Sequence, residues 1–337
     1  MIFYFLLLCA VICASVCVSF ASDKYTALVS KCITFNLLFI PAALRYGIGA
    51  DYFDYVKIFK GLPVGKFAYI EPGWRWLNLA VYNLGGTAQT VIALTALLSL
   101  FFLLCEVNNK KWFLYAPVCM IMIYPLLFTT LRQMLAMSMV FCGVLKFQKK
   151  KYIRACALML GSYFFHKSVL VYIPIFFLCH FIRAKPAFCC FFYLIVIIIT
   201  NLFSNIISNY ILNLIGLGSY SFYLSSDWIN ATEPGLGRFV RYLVHAAMLL
   251  LFPVEKQAKT TLLGILFLYC AIDCYALNMQ IIVRISRGML FVFMPVMWTV
   301  WKFKKNRQIR VLVYIVCFLL LFLRNYNGMQ YVSILGV

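Results

Sequence analysis

The sequence predicts an all-α, polytopic integral membrane protein with about twelve transmembrane helices. Three observations predict it. The 337 residues are 65% hydrophobic and only 12% charged, far from the balance of a water-soluble domain. Apolar runs of roughly 15–20 residues recur along the chain, near the length a helix needs to cross a bilayer at about 1.5 Å per residue. Short lysine-rich turns separate those runs, as the positive-inside rule requires of cytoplasmic loops. The net charge of +21 therefore reads mostly as topological charge facing anionic headgroups, and no nucleic-acid partner is expected.

The expected spans are 1–21, 30–44, 87–105, 112–128, 130–147, 153–166, 168–182, 187–204, 238–253, 260–282, 286–301 and 310–324. Residues 1–21 lack a basic leader and their apolar run is long for a signal peptide, so they read as a retained first helix. The hairpin over 130–166 anchors the topology, because Lys146, Lys149, Lys150, Lys151 and Arg154 in its turn belong in the cytoplasm. Arg132 and His166, at its two open ends, then share the opposite face. Alternation puts inner turns near 22–31, 106–111, 146–154, 181–186, 254–259 and 302–310. Both termini and two long stretches without helix, 45–86 and 205–237, fall on the outer face. The whole of 1–337 reads as one integral membrane domain.

The identities of the basic residues differ between the faces. The inner turns hold fourteen Lys and four Arg, whereas the outer face holds four Lys and eight Arg: Arg45, Arg75, Arg132, Arg238, Arg241, Arg284, Arg287 and Arg324. Topology needs only charge. Arginine adds a rigid fork of donors that matches phosphate or carboxylate, so an Arg-rich outer face marks a binding site. Five outer carboxylates, Asp51, Asp54, Glu71, Asp227 and Glu233, leave that face an excess positive field suited to a polyanionic headgroup. Arg132 taken alone also reads as a snorkelling residue.

The outer stretches carry the other candidates. Arg45 to Tyr55 and Tyr69 to Trp76 interleave Gly, Tyr and Trp with Asp51, Asp54 and Glu71. Aromatic rings there suit the membrane interface or the face of a sugar. The 205–237 stretch begins as an amphipathic segment and closes on Glu233-Pro234-Gly235-Leu236-Gly237-Arg238, which puts Arg238 at a helix start where backbone N–H groups favour anions. His166 reads as a base or as a hydrogen-bonded structural histidine. His180 and His245, on the inner half, receive no role, and Asp273 and Asn278 are noted inside a span. The fourteen cysteines contain no CxxC pair and read as small buried hydrophobes. Asp51 and Asp54 form a weak DxxD metal signal. No P-loop, GxGxxG or HExxH is present, which argues against a nucleotide-driven or zinc enzyme.

Arg45-Tyr46-Gly47-Ile48-Gly49-Ala50-Asp51-Tyr52 ahead of Glu71-Pro72-Gly73, then Leu131-Arg132-Gln133-Met134-Leu135-Ala136, Phe165-His166-Lys167-Ser168 and Gly237-Arg238 resemble the EpsG-type branch of the Wzy polysaccharide polymerases. The resemblance spans roughly residues 40–240. It implies a GT-C-like glycosyltransferase of the bacterial inner membrane with its active site towards the periplasm. That enzyme transfers a growing glycan from undecaprenyl diphosphate onto a new undecaprenyl-diphosphate-linked oligosaccharide. The lipid bilayer and a chain-length regulator protein are the other implied partners. No cofactor and no obligatory metal is expected, since arginine supplies the positive charge.

On that chemistry, His166 ranks first as general base, because imidazole titrates near neutrality, with Asp51 and Glu71 as acceptor-binding carboxylates or alternative bases. Arg132, Arg238, Arg284, Arg287 and Arg45 are the candidates for the diphosphate, and Tyr52, Trp74 and Glu233 for sugar. A lipid-linked oligosaccharide flippase or transporter is a rival reading, disfavoured because the polar residues gather at one face. A membrane O-acyltransferase is a second, disfavoured because the inner turns show only lysine-rich topology signals.

Overall fold

The structure, a computed structural model, describes residues 1–49, 51–181, 184–203, 206–207, 209–210, 235–254, 261–277, 280–326 and 329–333. Among them the regular structure is helical, with an isolated antiparallel bridge between Arg45 and Ser333. In chain order the helices are α1 (Ile2–Phe20), α2 (Lys24–Leu44), α3 (Tyr52–Gly61), α4 (Pro72–Asn83), α5 (Ala88–Leu104), α6 (Trp112–Val118), α7 (Leu126–Thr129), α8 (Leu131–Gln148), α9 (Tyr152–Tyr163), α10 (Val169–Phe181), α11 (Pro186–Leu202), α12 (Leu236–Leu250), α13 (Thr261–Ala276), α14 (Gln280–Gly288), α15 (Phe293–Lys302) and α16 (Arg307–Tyr326).

Two compact units divide the chain: Met1–Ile173 with Phe318–Val337, and Pro174–Cys317. In the first, α1 packs on α2 and α6, α2 on α5, and α5 and α9 on α8. In the second, α11 packs on α12 and α13, and α14 packs on α13.

This is a helical membrane protein. Among the described residues four helical segments are long and apolar enough to cross a bilayer: Ile2–Phe20, Lys24–Leu44, Ile282–Lys302 and Arg307–Tyr326. A fifth is gained if Ala88–Leu104 and Asn109–Ile123, bent by 102°, form one span. The count differs from the expected twelve because several apolar runs fold as helices shorter than the roughly 20 residues a span needs. α9 has 12 residues and α13 has 16. The run expected over 112–128 is broken near Pro117 into α6, a π-helical turn at Cys119–Ile123 and α7. α2 begins at Lys24, inside the turn expected over 22–31, because the Asp23 side chain caps it by accepting from the Thr26 N–H at 2.8 Å.

The 45–86 stretch also differs from expectation, since it is largely helical. Tyr52, Tyr55, Ile58 and Phe59 recur at helical spacing on the buried side of α3. They join Trp74 of α4, Val91 and Ile92 of α5, and Leu131 of α8 in one apolar cluster. Each such side chain contributes about 1.5–3 kcal/mol when fully buried, so α3 and α4 are held down on α5 and α8. The other outer stretch, 205–237, lies almost wholly outside the described residues, as do Asp227, Glu233 and Asn278.

Candidate active site

The site begins at the junction between α4 and α9. Pro72 opens α4, where its fixed φ and missing N–H cost nothing. The next residue, Gly73, donates its N–H to the Phe164 carbonyl at 2.8 Å. A Cβ at Gly73 would meet that same oxygen at 2.8 Å, so only glycine lets the two chains approach this closely. Glu71, just ahead of α4, is thereby delivered to the end of α9 and the turn that follows it.

Three sequence candidates meet there. Arg132 Nη1 lies 2.6 Å from Glu71 Oε2, and His166 Nδ1 lies 3.1 Å from Glu71 Oε1. The Lys167 backbone N–H also approaches Oε1, at 3.4 Å. The Glu71 side chain is 10% exposed, against 24% for His166 and 26% for Arg132. The carboxylate is the buried hub and its two cationic-type partners face outward, where a ligand can reach them.

Burial alone would raise the Glu71 carboxyl, but the hydrogen bond from His166 and the Arg132 charge outweigh it and hold the group down at about 2. Glu71 is therefore ionised near neutral pH and can only accept hydrogen bonds. In its neutral form His166 donates its one proton from Nδ1 to Glu71 and keeps the lone pair on Nε2. A carboxylate-held imidazole beside a guanidinium can take a proton from a hydroxyl while it attracts an anion.

A model of the EpsG family matches residues 28–335, nearly the whole chain. The protein belongs to the EpsG family. It is thus a membrane protein of the polysaccharide-polymerase type, acting on glycans in a lipid setting. No curated protein and no solved structure matches the chain.

The remaining candidates of this EpsG-family chain have other partners in the described structure. Arg45 is fully buried, donates to the Leu127 carbonyl and stands 5.2 Å over the Phe128 ring. Gly49 passes so close to the Phe128 carbonyl that a Cβ would overlap it at 1.8 Å, and its φ is +91°. Arg45 is thus locked beside α7, and its neighbour Tyr46 is bonded to the Val332 carbonyl at 2.8 Å. Tyr52 is buried and donates to Gln89 Oε1 at 2.9 Å, while Trp74 is wholly buried with its ring 5.6 Å from that of Tyr55. Both rings pack in the apolar cluster. Asp51 precedes α3, and its carbonyl accepts from Tyr55 at 3.0 Å.

In the second unit Arg238 opens α12, donating to Asn201 Oδ1 at 3.4 Å and to the Leu277 carbonyl at 3.2 Å. Arg284 and Arg287 lie half-buried on α14. Here the structure also shows a constellation that reading the sequence missed. Asp273 accepts from Arg241 Nη1 at 3.1 Å and from the Ser286 hydroxyl at 2.9 Å, with His245 Nε2 3.7 Å away. His245 Nδ1 is in turn 3.0 Å from the Tyr193 hydroxyl. The signal was an ionisable residue in the middle of a span, together with Arg238, Arg241 and His245 spaced along one helical face. Among the described residues no three His, Cys, Asp or Glu side chains gather as a metal-binding set.

Proposed function

We propose that this EpsG-family protein polymerises a surface polysaccharide at the periplasmic face of the bacterial inner membrane, on a GT-C-like scaffold. The growing glycan is transferred from undecaprenyl diphosphate to the terminal sugar of a new lipid-linked oligosaccharide. The observation that carries this reading is Glu71 holding His166 and Arg132 together, an imidazole base fixed beside an arginine.

The acceptor hydroxyl attacks the anomeric carbon of the donor sugar. Its proton passes to His166 Nε2, the C–O bond to the diphosphate breaks, and the diphosphate leaves with the electron pair. Glu71 fixes the imidazole tautomer and steadies the imidazolium as it forms, a positioning role rather than that of a base, because both of its oxygens are already engaged. Arg132 has five N–H donors and spends only some of them on Glu71, so it can also meet charge developing on the donor. Asp51 orients acceptor hydroxyls. Arg238, Arg284 and Arg287, all in the second unit, bind phosphate oxygens. The donor is already activated as a lipid diphosphate, so no nucleotide is consumed at this face.

Deleting the gene and resolving the surface polysaccharide on a gel tests the reading. A single repeat on each lipid is the expected pattern. Complete loss of surface glycan would instead indicate export or assembly of the lipid-linked unit, and an unchanged ladder would remove the protein from polymerisation altogether.

A further inference from the structure

We infer that Asp273 is the positioning residue that sets the second unit's arginines for their anionic ligand, the diphosphate of a prenyl-linked sugar. This rests on the proposal above that Arg238, Arg284 and Arg287 bind phosphate oxygens. One carboxylate ties two arginine-bearing helices to α13. Its Oδ2 takes Arg241 of α12, one helical turn from Arg238, and its Oδ1 takes Ser286 of α14, which stands between Arg284 and Arg287. Arg238 itself bonds the carbonyl of Leu277, one turn beyond Asp273 at the end of α13. Arg238, Arg241 and His245 fall within about 60° of one another on α12 at 100° per residue, so fixing Arg241 fixes the face that Arg238 shares. With Ser286 fixed on Asp273, Arg287 and Arg284 stand about 100° and 200° around α14 from it, so the rotation that Ser286 sets also sets theirs.

The alternative is a purely structural ion pair, and the burial argues against it. The Arg241 side chain is 3% exposed and that of Asp273 8%. Desolvating such a pair costs about as much as its attraction returns, so apolar side chains of the same size would hold these helices equally well. What apolar packing does not supply is direction: one guanidinium N–H and one hydroxyl, each on its own oxygen of one carboxylate, fix the rotation of both helices. Rotation is what sets where the neighbouring guanidinium groups point.

The test is binding of a short-chain prenyl diphosphate to the full-length protein in nanodiscs, with thermal unfolding of each variant alongside. Asp273→Asn keeps the shape and removes the charge. It should weaken binding by about twofold to 150-fold, the span of coupling within a hydrogen-bonded network. In a background of Arg238→Ala, Arg284→Ala and Arg287→Ala, the same change should add nothing. Ser286→Ala, which frees α14 alone, should give a smaller loss that vanishes when Arg284 and Arg287 are already alanine, and it serves if Asp273→Asn fails to fold. Normal binding by the triple arginine variant would overturn the phosphate-binding reading itself. Loss in that variant with normal binding by Asp273→Asn, or by Ser286→Ala where only that variant folds, would overturn the positioning role alone. So would losses that simply add, since they would mark a general structural weakening.

Discussion

Helix α8 carries a carboxylate contact at each end, and the two ends are built from different residues. At its start Arg132, together with His166 from the turn after α9, meets Glu71. At its far end, about 27 Å away for an 18-residue helix, Lys146 bonds Glu106 Oε1 and Lys149 lies 2.7 Å from Oε2. The electrostatic outcome is the same. Lys146 and Lys149 hold the Glu106 carboxyl down at about 2, and His166 and Arg132 bring Glu71 to the same place against its burial. A strongly shifted carboxyl therefore does not by itself pick out the functional end. The partners do. Two ammonium groups are point charges that pin a turn, whereas an imidazole adds a second nitrogen that can take a proton and a guanidinium adds directed donors.

The largest expected effect separates the two ends directly. His166→Ala, in folded protein with lipid-linked donor still bound, should lower polymerisation by ~10²–10⁴, the usual worth of a general base. Glu106→Gln should leave turnover near that of the wild type. Equal losses at both ends would mean that α8 is simply fragile. Comparable losses of donor binding and turnover in His166→Ala would make His166 a structural residue.

Next in size is the exchange of cation types. Arg132→Lys keeps the charge and loses the fork, and should reduce polymerisation about tenfold. Lys146→Arg, the reciprocal change at the other end, should be tolerated within about twofold, because a guanidinium also satisfies Glu106. Wild-type polymerisation by Arg132→Lys would reduce Arg132 to a charge that anchors α8. The contrast between the two ends would then rest on His166 alone.

The ends of α8 were legible in the sequence because their signals are local: an apolar run, a lysine-rich turn, and short motifs at Arg132 and His166. What those motifs do together was not. Glu71 is 61 residues from Arg132 and 95 from His166 in the chain, and nothing local shows that one carboxylate holds both. The helices of 45–86 escaped notice because their tyrosines and tryptophans read as an interfacial belt. Trp74 and Tyr52 instead supply the buried side of α3 and α4. His245 was passed over because it was assigned to the inner half, and Asp273 by being read alone. Their meeting is a property of helix packing, which no spacing within one helix reveals.

The smallest effect concerns acid, where the two ends should behave alike. A carboxyl whose folded value lies near 2 and whose unfolded value lies near 4.3 stabilises the fold fully above the unfolded value. That stabilisation is lost as the pH falls from there through about 2, because the unfolded chain binds the proton more readily. Glu71 and Glu106 should each contribute to the drop in melting temperature over this window in nanodiscs. Glu71→Gln and Glu106→Gln should each flatten it, and their effects should add, since the two groups sit at opposite ends of α8 and share no partner. A slope unchanged by Glu106→Gln would show that the lysines do not hold that carboxyl, and the electrostatic half of the comparison would fail. A slope flattened by both, with activity lost only in Glu71→Gln, would show that the same charge pairing fastens one end of the helix and orients the base at the other.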